Sequence, residues 1–194
     1  MYSLNYRNKC EGGLFMELKG SKTEQNLWAA FAGESQARNK YDYYASQAKK
    51  DGYEQIAEYF AESALNEKEH AKRFFKILMG GSIPKTAENL LDAAQGELYE
   101  HSEMYPEFER IAREEGFEEI ANIFKAIAKV EKYHERRYLK LLENIKQERV
   151  FKRPTAIKWK CRNCGYVYEG AEAPHECPAC AHPQSYYEEW CENY

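Results

Sequence analysis

Two four-residue motifs, Glu67-Lys68-Glu69-His70 and Glu131-Lys132-Tyr133-His134, set a carboxylate and an imidazole three residues apart. On a helix that spacing turns both side chains to one face. Each motif sits on a helical stripe that is otherwise mostly apolar. Alternating steps of four and three align Ile56, Phe60, Ser63, Glu67, His70, Phe74 and Ile77, and likewise Ile120, Phe124, Ile127, Glu131, His134, Tyr138 and Leu141. Glu34 and Glu97 have matching settings, each behind a glycine (Gly33, Gly96) in an Ala-rich stretch that permits close helix approach. Four glutamates on core-facing stripes cannot ionise together without compensating cations. A lone Glu-x-x-His is ordinarily a salt-bridged surface pair, but two in register on apolar stripes point to metal. Hard carboxylate oxygens with one imidazole per ion suit iron or manganese better than copper.

A second chemistry lies near the C-terminus. Cys161-Arg162-Asn163-Cys164 is followed, after twelve residues, by Cys177-Pro178-Ala179-Cys180. Two such pairs bring four thiolates to the corners of a tetrahedron, a site for zinc or for a single iron. His175 and His182 read as bystanders because four sulfurs close the shell. Cys10 and Cys191 are left over, with no sign that they pair.

Four helices must position the glutamates. The stretch from Ser21 to Gln147 is rich in Ala, Glu, Lys, Leu and Arg, with turn signals at Lys50-Asp51-Gly52, Gly80 to Pro84 and Glu115-Gly116. Helices are therefore expected near 22–49, 53–79, 86–114 and 117–147. They form an internal repeat: at an offset of 64, eleven of the 26 residues from Ala48 to Arg73 recur between Ala112 and Arg137. Gly33-Glu34 matches Gly96-Glu97 at an offset of 63, whereas Tyr41 matches Tyr105 at 64. One residue has thus been added between Glu97 and Tyr105, which predicts a π-bulge beside Glu100 and eases Pro106 into the helix. Glu100 stands where the first half has Ala37. Tyr41 and Tyr105 are placed to reach the cluster or simply to pack in the core. His101 falls off the direction of Glu97 and Glu100, and Glu54, Glu69, Glu118 and Glu135 lie off the stripes, facing solvent.

The expected organisation is a leader over 1–15, a mainly α four-helix bundle over 16–150, a linker over 151–155 around Pro154, and a small metal-stapled β domain over 156–194. With 43% apolar and 31% charged residues, the chain has enough core-forming side chains to fold. A net charge of -4 argues against nucleic acid and anionic membranes as partners. No apolar run or export signal is evident, so a cytoplasmic location and metal-binding rather than disulfide-bonded cysteines are expected.

The ligand set, one Glu from each of two helices and Glu-x-x-His from each of the other two, is that of ferritin-like di-iron and di-manganese proteins. Together with Ala30 to Arg38, Glu67 to Arg73, Gly96-Glu97 with Glu100 and Glu103 to Pro106, Ile111 to Gly116 and Cys161 to Val167, it makes the chain resemble rubrerythrin from about Met16 to Trp190. The resemblance implies a ferritin-like bundle with a non-haem di-iron centre, followed by a rubredoxin-like Fe(Cys)4 domain. It implies reduction of hydrogen peroxide to water in oxidative-stress defence, with electrons from NAD(P)H through a rubredoxin or a partner reductase. Carried over by residue, Glu34 and Glu97 are terminal ligands, Glu67 and Glu131 bridge, and His134 binds the iron on the Glu97 side. Glu100 and His70 alternate on the other iron with its oxidation state. Competing readings are a ferroxidase that handles iron, which shares most ligands, and a zinc-ribbon interaction module without catalysis. Glu100 and the attached tetrathiolate favour the peroxidase.

The family bundle requires a long connection between its second and third helices. Measured from Glu67 and Glu97, the ends at Met79 and Thr86 would lie roughly 35 Å apart within one chain. Gly80 to Lys85 span at most ~25 Å. The easier arrangement is a swapped homodimer, in which the first helix pair of one chain completes its site with the second pair of another. A simple up-down-up-down bundle within one chain is the alternative.

Overall fold

A computed structural model describes residues 17–193. The leader expected over 1–15, and Cys10, lie outside the described residues. The chain forms two compact units that divide between Pro84 and Lys85. No helix among the described residues is long and apolar enough to cross a membrane.

The first unit is a helical hairpin of α1 (Lys22–Lys50) and α2 (Glu54–Leu78). Ser21 starts α1 by accepting the Glu24 backbone N–H, while the Glu24 carboxylate accepts the Gly20 N–H. Gly52, at φ 84°, ends it, and the Tyr53 N–H returns to the Ala48 carbonyl. The second unit repeats this with α3 (Thr86–Tyr99), a π turn (Glu100–Met104) and α4 (Tyr105–Glu114), followed by α5 (Glu118–Lys146). Gly116, also at φ 84°, makes the matching turn, with the Phe117 N–H on the Ala112 carbonyl. The expected added residue is the π turn, in which the Tyr105 N–H bonds to the Glu100 carbonyl five residues back.

Small residues occupy the seams of the hairpins. Ala45, Ala48, Ala57, Ala64 and Ala71 are buried in the first; Ala94, Ala112, Ala121 and Leu142 in the second. Within one hairpin the core-facing Glu-x-x-His stripes are covered only in part. Two helices have a single seam, and the alanines take it. The stripe ends stay open: Ile56, Ile120 and Leu141 are 47%, 45% and 44% exposed.

The small domain is an antiparallel sheet in the order β2-β1-β3, formed by β1 (Lys152–Cys161), β2 (Val167–Glu172) and β3 (Tyr187–Glu189). Residues 151–155, expected as a linker, belong to this domain instead. Lys152 pairs with Glu172, the Ala173 N–H bonds to the Phe151 carbonyl, and the register shifts between Lys152 and Ile157. Pro154 falls in that irregularity, where a missing N–H breaks no regular ladder. Trp159 fills the core with Cys161, Ala173, Cys177 and Tyr187, and its indole N–H bonds to the Gly170 carbonyl at 2.9 Å.

Candidate metal centres

Each hairpin gathers one triad of metal-ligating side chains. In the first, α1 supplies Glu34 and α2 supplies Glu67 and His70; in the second, α3 supplies Glu97 and α5 supplies Glu131 and His134. In each, one donor atom per residue lies within 4.8 Å of the others. The two triads match in detail. His70 Nδ1 is 2.7 Å from Glu67 and 3.7 Å from Glu34, and His134 Nδ1 is 2.7 Å from Glu131 and 3.7 Å from Glu97. Donors about 2.1 Å from one ion and at right angles are ~3 Å apart, so both triads fit a small divalent cation.

The electrostatics agree. Burial first, then the Glu67 carboxylate, push Glu34 above the usual carboxylate range, with His70 opposing. Burial and Glu131 do the same to Glu97. Carboxylates that resist ionisation beside one another call for a cation. Glu100 is not one of the converging three; it stands near enough for its charge to act on Glu97 and on Tyr105. Burial, then Glu100, Glu131 and Glu97, raise the Tyr105 hydroxyl above the ordinary tyrosine value. Tyr105 also packs on Phe108 and Phe124, and Tyr41 packs correspondingly on Tyr44 and Phe60.

One expectation is overturned beside the second triad. Glu135, placed in solvent by its position off the stripe, is largely covered and bonds to His101 at 2.8 Å. His101 and Glu135 both lie off the stripes and meet across the hairpin, 34 residues apart in sequence, which is why neither partner stands out in the sequence.

In the small domain the four thiols of Cys161, Cys164, Cys177 and Cys180 converge. Cys161 and Cys180 sulfurs are 3.8 Å apart, Cys164 and Cys177 sulfurs 3.6 Å. A tetrahedral ion with bonds of about 2.3 Å has edges of about 3.8 Å, so the cage already has metal dimensions. The knuckles are built alike: Gly165 N–H bonds to the Cys161 carbonyl and Ala181 N–H to the Cys177 carbonyl, both at 2.8 Å. The Tyr166 backbone N–H favours the Cys164 thiolate, yet bonding to Cys180 and burial push Cys164 up to about 12. Against burial, the His182 backbone N–H and Asn163 draw Cys180 down to about 6. His182 lies outside the converging four, with its Nδ1 3.1 Å from the Cys180 carbonyl. Cys191 is exposed and unpaired with any other described cysteine.

A helical repeat bearing two carboxylate–histidine triads, joined to a four-cysteine β domain, defines a ferritin-like metalloprotein with a rubredoxin-like module. The rubrerythrin family model matches residues 25–142, and that of the rubrerythrin rubredoxin-like domain matches 159–188. A rubrerythrin of Nitratidesulfovibrio vulgaris is 57% identical over 88% of this chain and 95% of its own. One from Porphyromonas gingivalis is 56% identical, covering 91% and 94%. Among solved structures, partially reduced nigerythrin is 30% identical over 97% of this chain and 94% of its own, with a TM-score of 0.34. The chain belongs to the rubrerythrin family. It is a di-iron oxidative-stress protein, and its cofactors are a di-iron site and a rubredoxin-like iron.

Proposed function

We propose that the chain is a peroxidase: it reduces hydrogen peroxide to two waters, taking two electrons and two protons, with electrons relayed through its own rubredoxin-like centre. The observation that carries this reading is the coexistence, in one chain, of two geometrically matched Glu/Glu/His triads and a four-thiol cage of metal dimensions. Two ferrous ions held together supply the two electrons that the reaction consumes.

The protein's own part is then specific. Glu34, Glu67 and His70 would hold one half of the centre and Glu97, Glu131 and His134 the other, with Glu67 and Glu131 the carboxylates that would be shared between the two ions. Glu100 and His70 would be alternative ligands: a charged carboxylate would suit a ferric ion and a neutral imidazole a ferrous one, which would keep net charge balanced. The Tyr105 hydroxyl, kept protonated beside Glu100, Glu131 and Glu97, holds a proton next to the centre; Tyr41 occupies the matching place in the first half. Cys161, Cys164, Cys177 and Cys180 would hold the relay iron, which would receive electrons originating from NAD(P)H through a rubredoxin or reductase. The active form is a homodimer swapped between the two hairpins, so that each exposed stripe is covered and each triad meets its complement.

Anaerobic titration of the reduced protein with peroxide tests the reaction; both iron centres should reoxidise at a stoichiometry of two electrons per peroxide. Cys164→Ser tests the relay. It should abolish the rubredoxin-type colour, leave the helical signal unchanged, and sharply lower turnover with a donor that reduces through the small domain. Unchanged turnover with that donor would sink the relay.

A further inference from the structure

The second hairpin departs from the first in three ways that fall at one place. It has an extra residue, absorbed as the π turn; it has Glu100 where the first has Ala37; and it joins His101 to Glu135 where the first has Arg38 and Ala71. The joined pair is unusual in its surroundings. Among the described residues it is the one ion pair with both side chains under a fifth exposed, 14% for His101 and 17% for Glu135. Its members are 34 residues apart in sequence, and Nε2 lies 2.8 Å from Oε2.

Placement gives the contact its meaning. His101 immediately follows Glu100 in the π turn, and Glu135 immediately follows His134 in α5. The bond therefore fixes the rotation of the wide turn against the helix that carries Glu131 and His134. A π turn needs such a tie more than an α turn does, because its bonding is less regular. Ser102 supplies a second, local tie by donating its hydroxyl to the Leu98 carbonyl at 2.6 Å. The first hairpin has no π turn and no residue matching Glu100, and there α2 presents a buried alanine, Ala71, at the place of Glu135.

We propose that His101 and Glu135 are positioning residues for Glu100, clasping the π turn to α5 so that the Glu100 carboxylate is held at a set place beside Glu97, Glu131 and His134. This deepens the peroxidase reading and rests on it only for the turnover arm of the test. Bringing a ligand to the metal within a fraction of an ångström is what such a clasp accomplishes, and misplacement by about 1 Å can cost ~10²-fold in rate.

Three variants decide the matter. His101→Leu removes the bond but keeps bulk. Glu135→Ala imports the residue that the first hairpin already packs at this place, which guards against a folding defect. His101→Gln puts an amide nitrogen where Nε2 stood and keeps the bond. All three should bind two irons in the bundle with unchanged helical signal. His101→Leu and Glu135→Ala should alter the absorption of the oxidised di-iron centre and lower kcat ~10- to ~100-fold with little change in KM. His101→Gln should restore both. Wild-type absorption in His101→Leu and Glu135→Ala overturns the clasp, as does loss of bundle iron in either, which would mark a ligand or purely structural role. Failure of His101→Gln to rescue also overturns it, since the bond rather than the ring is what the clasp requires. If the wild-type protein reduces no peroxide, the peroxidase reading falls while the absorption comparison still decides the clasp.

Discussion

At the scale of residues, Glu34 and Glu97 show what a metal site asks of a chain before the metal is bound. Burial, and the neighbouring Glu67 and Glu131, hold their carboxyls above the unfolded value of 4.5. A group with a raised folded pKa contributes stability that is fully present below its unfolded pKa and is lost as pH rises through the folded one. The metal-free hairpins are therefore strained at neutral pH by charges that iron would neutralise. Glu34→Gln and Glu97→Gln are expected to raise the Tm of the chelated protein at pH 7, with the gain shrinking as pH falls toward 4.5, while both weaken iron binding. Equal Tm values for variant and parent across that window would contradict this account. Glu100 stands differently, outside the converging triads. Glu100→Ala should keep both bundle irons, anchored by the two triads, and slow peroxide turnover ~10- to ~100-fold. Iron analysis beside steady-state kinetics checks both halves, and loss of all bundle iron would count against a switching role. The triads are legible in the sequence because Glu-x-x-His has a fixed meaning on any helix. Glu135 is not, because its partner lies across the hairpin and no local spacing encodes it.

Elements explain why some features can be read and others not. The π turn is legible because the repeat offset changes from 63 to 64 between Glu97 and Tyr105, and a helix absorbs one added residue in that way. The four helices follow from their glycine turns, with Gly52 and Gly116 both at φ 84°. Residues 151–155 mislead because Pro154 punctuates a regular strand, whereas here it sits in an irregular stretch of β1. The knuckles of the small domain carry a prediction of their own. Gly165 and Ala181 follow the second cysteine of each pair with φ of 79° and 56°. Glycine accepts the left-handed region freely, and an alanine there costs roughly 1–2 kcal/mol. Ala181→Gly should thus tighten the second knuckle by up to ~1 kcal/mol, the gain being reduced by glycine's greater freedom in the unfolded chain. Slower loss of metal to a chelator from the four-cysteine cage is the measurement, and faster loss would show that the knuckle is unstrained.

At the scale of the whole molecule, the proposed swap rests on the faces that the hairpins leave open. Each hairpin buries mainly alanines in its seam, so its Glu-x-x-His stripe stays partly open: Ile56 on α2, and Ile120 and Leu141 on α5, are exposed, and Phe60, Phe74, Phe124 and Ile127 are half-buried. Apolar side chains beside a metal-ligating triad are better covered than left in water. Each triad is also half of the ligand set that a two-iron centre of this class uses. A second copy of the chain meets both needs, and the short connection from Met79 to Lys85, with Gly80 and Gly81 both at positive φ, suits exchange between chains better than a crossover along the bundle. The swap predicts complementation between dead variants. Glu67→Ala removes a ligand from the first hairpin and Glu131→Ala from the second, and each homodimer then has two damaged centres. In a mixed swapped dimer, one centre takes both damaged hairpins and the other takes both intact ones. Refolding the two inactive variants together at equal amounts should therefore recover about a quarter of wild-type activity for random pairing into twofold dimers. In an unswapped protein every centre draws on a single chain, each chain is damaged, and the mixture stays inactive at every ratio.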